Sequence, residues 1–346
     1  MRHVSFIGIV SFCLSGFFIS PRCGSAQETP VSAITYPEYK QLTLTNSAIR
    51  LNIYLPDAEN GYYRGTRFDW SGVISRVEYK KHTFFGEWKT SHNPSNHDDL
   101  CGPVEEFGMD SPLGYGTAGR GDPFVKIGVG ILTKNTTSSY EFSGKYPMVT
   151  PGSWDVSHGT DWIEFRQAFT GPNGWAYDYT KRVELSPDEP AFRLVHNLKN
   201  TGSNPIDTDV YNHQFFIIDD DPIGPHYRLT FPFPVRATSD LKGVATTEGH
   251  DLYFLKDNTT SIWTKLEGFG SEPQHNAVTI TNEATGAAIR YEGNTPLKEF
   301  RCWSVRWTCC PEPFIAINLK PNDEMGWEMK YTFIILSHAA GSHQLK

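Results

Sequence analysis

The stretch Tyr177–Ile218 contains, in order, YDYTKRVEL (177–185), PDEP (187–190), FRLVHNL (192–198), NTGSNP (200–205) and VYNHQFFII (210–218). Short alternating or apolar runs, each closed by Pro, Gly, Asn and Asp, are the pattern of strands and turns. The same pattern recurs at Ile49–Leu55, Val125–Thr133, Trp162–Phe169, Ala287–Tyr291 and Met329–Leu336. No long run with apolar residues spaced three and four apart interrupts it, so the chain reads as all-β. Pro187–Pro190 and Asn200–Pro205 read as turns between consecutive antiparallel strands, and Pro321-Asn322-Asp323-Glu324 as another. Many short strands with such turns predict a large antiparallel β-sandwich.

Residues 1–26 stand apart. Arg2 and His3 precede an apolar run from Val4 to Ser20, and Gly24-Ser25-Ala26 supplies the small residues of a cleavage site. This predicts a signal peptide, an exported protein, periplasmic or extracellular, and no stable membrane insertion after cleavage. Ser20-Pro21-Arg22 before Cys23 argues against a lipid anchor. No composition shift or repeat divides residues 27–346, which read as a single domain with a loose tail at Ala339–Ser342. The net charge of −8 without a basic cluster excludes nucleic acid as the expected partner. Cys101, Cys302, Cys309 and Cys310 allow three disulfide connectivities, and their spacing fits no zinc site. His92, His97 and Asp99 are ligand types without a recognisable metal spacing, so neither metal nor cofactor is expected.

The chemistry-bearing residues come late in the chain. His213 sits among apolar residues in Tyr211-Asn212-His213-Gln214-Phe215-Phe216, and Glu312 is held between Pro311 and Pro313. Lys181–Leu185, Asp188-Glu189-Pro190, Asn197–Gly202 and Tyr211-Asn212-His213 together resemble the central part of aldose 1-epimerases, the galactose mutarotase-like proteins. Glu312-Pro313 followed by Ile317–Pro321 and Trp327–Phe333 resembles that family's C-terminal Glu-Pro segment and the turn after it. Asn322 stands where the turn usually has Gly, and Phe314 is a second departure. Tyr63–Trp70 with Gly72 resembles an exported branch of the superfamily. Cys101–Gly108 resembles the substrate-facing loop of hexose-6-phosphate mutarotase-like relatives.

The resemblance implies the galactose mutarotase-like β-sandwich and His213 and Glu312 as catalytic residues. The chemistry agrees with those residue types. Interchange of sugar anomers needs a base for the anomeric hydroxyl and an acid for the ring oxygen. At neutral pH an ordinary glutamate is ionised and a histidine is near its pKa, which makes Glu312 the base and His213 the acid. The flanking prolines restrict the backbone and would hold the carboxylate in place. Arg67, Arg64, His97, Trp175 and Glu106 are the expected substrate-binding residues, the arginines through their fork of donors. Trp303 and Trp307 are further stacking candidates. Glu105 and Glu106 do not read as a glycosidase pair, because neighbours on a strand face opposite ways. The expected partner is a small sugar or the sugar end of an oligosaccharide. A carbohydrate-binding protein without turnover, and a polysaccharide lyase on the same architecture, stand as alternatives.

Overall fold

The computed structural model describes residues 35–336. The expected signal peptide and the tail from residue 339 lie outside them. Among the described residues there are twenty-three strands and no α-helix. Every strand pairing is antiparallel, and the sheets have ten, six, four and three strands. The expected runs become strands at Ala176–Leu185, Ala191–Asn200, Ile206–His213, Ala287–Gly293 and Glu324–Ile335. The fold is a large antiparallel β-sandwich.

Two layers matter for function. In the ten-stranded sheet Ala176–Leu185, Ala191–Asn200 and Glu324–Ile335 are neighbours, third to fifth from one edge. The six-stranded sheet runs Arg236–Ala237, Ile262–Glu267, Glu299–Val305, Thr308–Leu319, Ile206–His213, Val104–Phe107. Phe107 on the second meets Tyr179 and Trp327 on the first edge-on, at ring centroid distances of 5.2 and 6.1 Å. Between the sheets lies an aliphatic and aromatic core that includes Leu194, Leu198, Val210, Ile315 and Ile317. Residues from the 54–146 segment, among them Tyr63, Phe68, Trp70 and Tyr140, pack with Val104, Tyr211, Cys310 and Phe314 in a second cluster on the outer face of the six-stranded sheet.

Three local expectations need correction. Val125–Thr133 is two strands, Pro123–Lys126 and Gly130–Thr133, because Gly128 and Gly130 take positive φ and turn the chain. The Asn200–Pro205 and Pro321–Asp323 turns do not join strands of one sheet; each carries the chain between the ten-stranded and the six-stranded sheet. Turn residues announce a reversal and not the partner of the next strand. The two crossovers clasp each other: Asn200 donates from Nδ2 to Leu319 O, and Asn322 donates its N–H to Asn200 O. Asn322 adopts φ 71°, the left-handed conformation that Asn tolerates in place of Gly. Among the described residues, Cys101, Cys302, Cys309 and Cys310 are buried and free.

Candidate active site

The site grows from a defect in a ladder. Ile206–His213 pairs with Thr308–Leu319 only as far as Tyr211 opposite Phe314, and contact resumes at Phe216 opposite Cys309. The Cys309 N–H points to Phe216 O, so by alternation the nitrogens of residues 311 and 313 point the same way. Those positions are Pro311 and Pro313, which have no N–H to give. The neighbouring chain therefore has no ladder to follow there, and it breaks after His213 with Phe215 at φ 43°. Glu312 lies inside this strand at the gap. The defect brings His213 Nε2 to 3.2 Å from Glu312 Oε1.

Alternation then sorts the side chains. Tyr211 and His213 share the outer face with Glu106, which is opposite Tyr211, and with Phe314, whose ring stacks on Tyr211 at 4.2 Å. Arg301 is opposite Glu312, and Trp303 lies two residues on. A cavity of about 620 Å³ opens over this face. Its lining includes His213, Glu312, Arg67, Arg301, His97, Asp98, Trp88, Trp263, Trp303, Phe215 and Phe142. His213 is packed by Phe215, stacked at 4.0 Å, and by Phe68 edge-on at 5.6 Å.

Burial sets the proton distribution. It pushes the Glu312 carboxyl up to about 8, with the Arg67 and Arg301 charges pulling the other way. Burial and the nearby Arg67 charge hold His213 well below its ordinary value. At neutral pH the ligand-free pair therefore keeps its one titratable proton on Glu312 beside a neutral imidazole, not the ionised glutamate expected for an ordinary carboxyl. The Nδ1 atom of His213 is buried without a hydrogen-bond partner.

Arg67 reaches the cavity from a rigid mount. Its Nε donates to Glu106 Oε2 at 2.7 Å and its Nη2 to the Tyr211 hydroxyl at 2.8 Å, while that hydroxyl donates to Glu106 at 2.6 Å. Lys126 Nζ donates to the other Glu106 oxygen at 3.1 Å. The guanidinium lies between the Phe68 and Phe142 rings, 4.4 and 4.2 Å from their centroids. Burial opposes ionisation of Glu106, but Arg67, Lys126 and the Tyr211 hydrogen bond outweigh it and leave its pKa below the ordinary carboxylate range.

Of the residues expected to bind substrate, Arg67 and His97 line the cavity. Glu106 is beneath it, fully buried and supporting Arg67, so it is not a direct sugar contact. Arg64 is not at the cavity; its guanidinium caps Glu59 O on the local turn. Trp175 belongs to a different hollow, with Gly114, Asn173 and Asn204, because the chain turns away before entering the Ala176–Leu185 strand. Trp307 is outside the cavity lining, whereas Trp303 is in it. Arg301, Trp88, Phe142 and Trp263 were not foreseen. A signal for the first exists in Glu299, Arg301 and Trp303, a polar and aromatic alternation on one strand face. Trp88 and Phe142 arrive from loops, where no periodicity marks them. Among the described residues no group of three or more His, Cys, Asp or Glu side chains is placed to hold a metal ion. His92 is instead stacked on Tyr62 at 4.2 Å, and Asp99 is paired with Lys89.

This architecture has counterparts among solved structures. An aldose epimerase homologue from C. elegans aligns with a TM-score of 0.56 at 10% identity, covering 86% of this chain and 100% of its own. A galactose mutarotase related enzyme from Lactobacillus acidophilus aligns at 0.52 and 12% identity, covering 86% and 99%. A galactose mutarotase-like protein from Clostridium acetobutylicum aligns at 0.51 and 12%, covering 88% and 97%. No protein-family description and no curated protein matches the chain. The fold is that of the galactose mutarotase-like proteins. At these identities the likeness is one of architecture, so activity has to be argued from this chain's own side chains.

Proposed function

We propose that the protein is an aldose 1-epimerase-like isomerase that interconverts the anomers of a sugar, exported by its N-terminal segment. The observation that carries the reading is the His213–Glu312 contact of 3.2 Å at the wall of a cavity large enough for a sugar. Ring opening takes a proton from the anomeric hydroxyl, breaks the bond between C1 and the ring oxygen, and delivers a proton to that oxygen. Rotation about the C1–C2 bond and the reverse steps give the other anomer. The pair holds one proton and one vacant acceptor, which is what this sequence consumes and returns.

Moving the proton from Glu312 to His213 leaves the pair's total charge unchanged. Sugar hydroxyls donating to the carboxylate, with Arg67 and Arg301 nearby, favour the ionised arrangement in the complex. Glu312 is then the base for the anomeric hydroxyl and His213 the acid for the ring oxygen. Arg67 and His97 hold sugar hydroxyls, Arg67 being positioned by Glu106 and Tyr211. A lyase would need unpaired positive charge for a uronate, whereas Arg67 and Arg301 at this cavity are each paired with a carboxylate, which favours the isomerase.

The test is anomer equilibration of several aldoses followed by NMR with the wild type, His213→Ala and Glu312→Ala. Each substitution is expected to lower the rate at least ~100-fold, the scale of losing a positioned acid or base. Equal rates in all three proteins would remove the proposal.

A further inference from the structure

The cavity extends further than one sugar ring requires. A single pyranose displaces roughly six waters, on the order of 180 Å³, against a cavity of about 620 Å³. The excess has a direction. From Glu312 the lining crosses to Trp303 on the adjacent strand and then to Trp263 on the one beyond, the two tryptophans being register partners. Two strand spacings amount to about 10 Å, a reach for two linked pyranose rings and not one.

The far end is built as an aromatic platform. Trp303 is fixed by its Nε1 donating to Ser261 Oγ at 3.0 Å, and it meets His213 at 5.6 Å and Trp88 at 5.4 Å edge-on. Trp263 remains 43% exposed. Along Ile262–Glu267 the inward positions are Ile262, Thr264 and Leu266, and the outward ones beside Trp263 are Lys265 and Glu267. The alternation calls for a polar residue at 263, yet a large indole faces solvent at the cavity's rim. A flat indole face offers stacking area to the C–H face of a sugar.

The charges at this end are already matched. Glu299 takes both Lys265 at 2.9 Å and Arg301 at 2.5 Å, and Asp110 lies 3.6 Å from Arg301. No excess of positive charge is left for a uronate or phosphate.

We infer that the cavity seats two pyranose rings, the reducing-end ring at His213 and Glu312 and the next ring on Trp263 and Trp303. The substrate is then the reducing end of a neutral oligosaccharide. This rests on the isomerase reading for the chemistry, but the second subsite can be measured by binding alone. Calorimetric titration of glucose against cellobiose, maltose and lactose is expected to show at least one disaccharide binding about tenfold more tightly than glucose. Trp263→Ala is expected to reduce that ratio to within about twofold, and Trp263→Phe to retain most of it. A wild-type ratio near one, a ratio unaffected by Trp263→Ala, or no binding of any of these sugars would overturn the subsite. Anomer equilibration of the same sugars separates the two claims. A disaccharide preference that depends on Trp263, without faster equilibration of any sugar, supports the subsite and refutes the isomerase. Faster equilibration with the same kcat/KM for glucose and all three disaccharides refutes the subsite and supports the isomerase.

Discussion

Replacing Glu312 by Gln should make the protein more stable while it disables the proposed chemistry. Burial raises the Glu312 pKa from 4.5 to about 8. Between those limits the folded protein holds a proton that the unfolded chain has released. Stability therefore falls as pH rises, present in full below 4.5 and lost by about 8. Each pH step within that window removes about 1.4 kcal/mol, so at pH 7 the acid's burial costs about 3 kcal/mol. Glutamine has nearly the same shape, never ionises, and can donate to His213 Nε2 as the protonated acid does. His213, depressed by burial and by Arg67, adds the opposite slope below its ordinary pKa, but it does so in both proteins and cancels in the difference. The variant should match the wild type near pH 4 and exceed it by about 3 kcal/mol at pH 7, a melting-temperature rise of roughly 5 °C for a chain of this size. Thermal melts of both proteins from pH 4 to 8 provide the measurement. Curves that fall in parallel across that range, or a variant less stable at pH 7, would refute the buried protonated acid. A gain in stability together with a loss of rate is the signature of a group kept for activity at the expense of the fold.

Further outcomes follow from the same geometry. The pH profile of kcat/KM for anomer equilibration should be flat through neutrality, falling above about 8 as the pair loses its one proton. Its acid limb should lie below the ordinary histidine value, because burial and then the Arg67 charge depress His213. Lys181→Met should destabilise by roughly 3–5 kcal/mol in urea unfolding, since it strips the charge partner from buried Glu105. Adding Glu105→Gln should recover most of that loss. Trp175→Ala should leave sugar affinity within about twofold of wild type, because Trp175 lines a different hollow; a larger change in calorimetric titration would contradict that placement.

The parts of this arrangement that were legible in the sequence share a physical cause. Strand runs such as Tyr177–Leu185 announce themselves because a two-residue period is imposed by the pleat, and the structure places that strand at Ala176–Leu185. His213 could be singled out because an imidazole among buried aromatics is costly to place. Glu312 could be singled out because prolines on both sides of a carboxylate are unusual. What periodicity cannot carry is the partner of a strand. The crossovers at Asn200–Pro205 and Pro321–Asp323 looked like ordinary reversals, and the single run Val125–Thr133 concealed a turn at its glycines. Trp175 and Arg64 were plausible by residue type alone. Their exclusion depends on which way the chain runs after Thr170 and on a local cap to Glu59, neither of which residue type encodes.

The pleat also explains why two adjacent glutamates have unrelated duties. Glu105 points between the sheets, where Lys181, His196 Nε2 at 2.9 Å and Asn212 Nδ2 at 3.0 Å surround it. Burial opposes its ionisation, but Lys181 and then His196 bring its pKa down to about 2. Glu106 points outward and fixes Arg67 at the cavity. On the neighbouring strand the same alternation sends Asn212 inward to Glu105 and His213 outward to Glu312. The imidazole therefore stands on a residue pair whose inner member is tied to a charged network crossing both sheets. Breaking that network at Lys181 should reach the site through Asn212 and loosen His213, so the rate loss in Lys181→Met should exceed what the fraction of folded protein explains. If the loss of rate merely tracks the loss of folded protein, the inner network supports the fold alone and does not position the histidine.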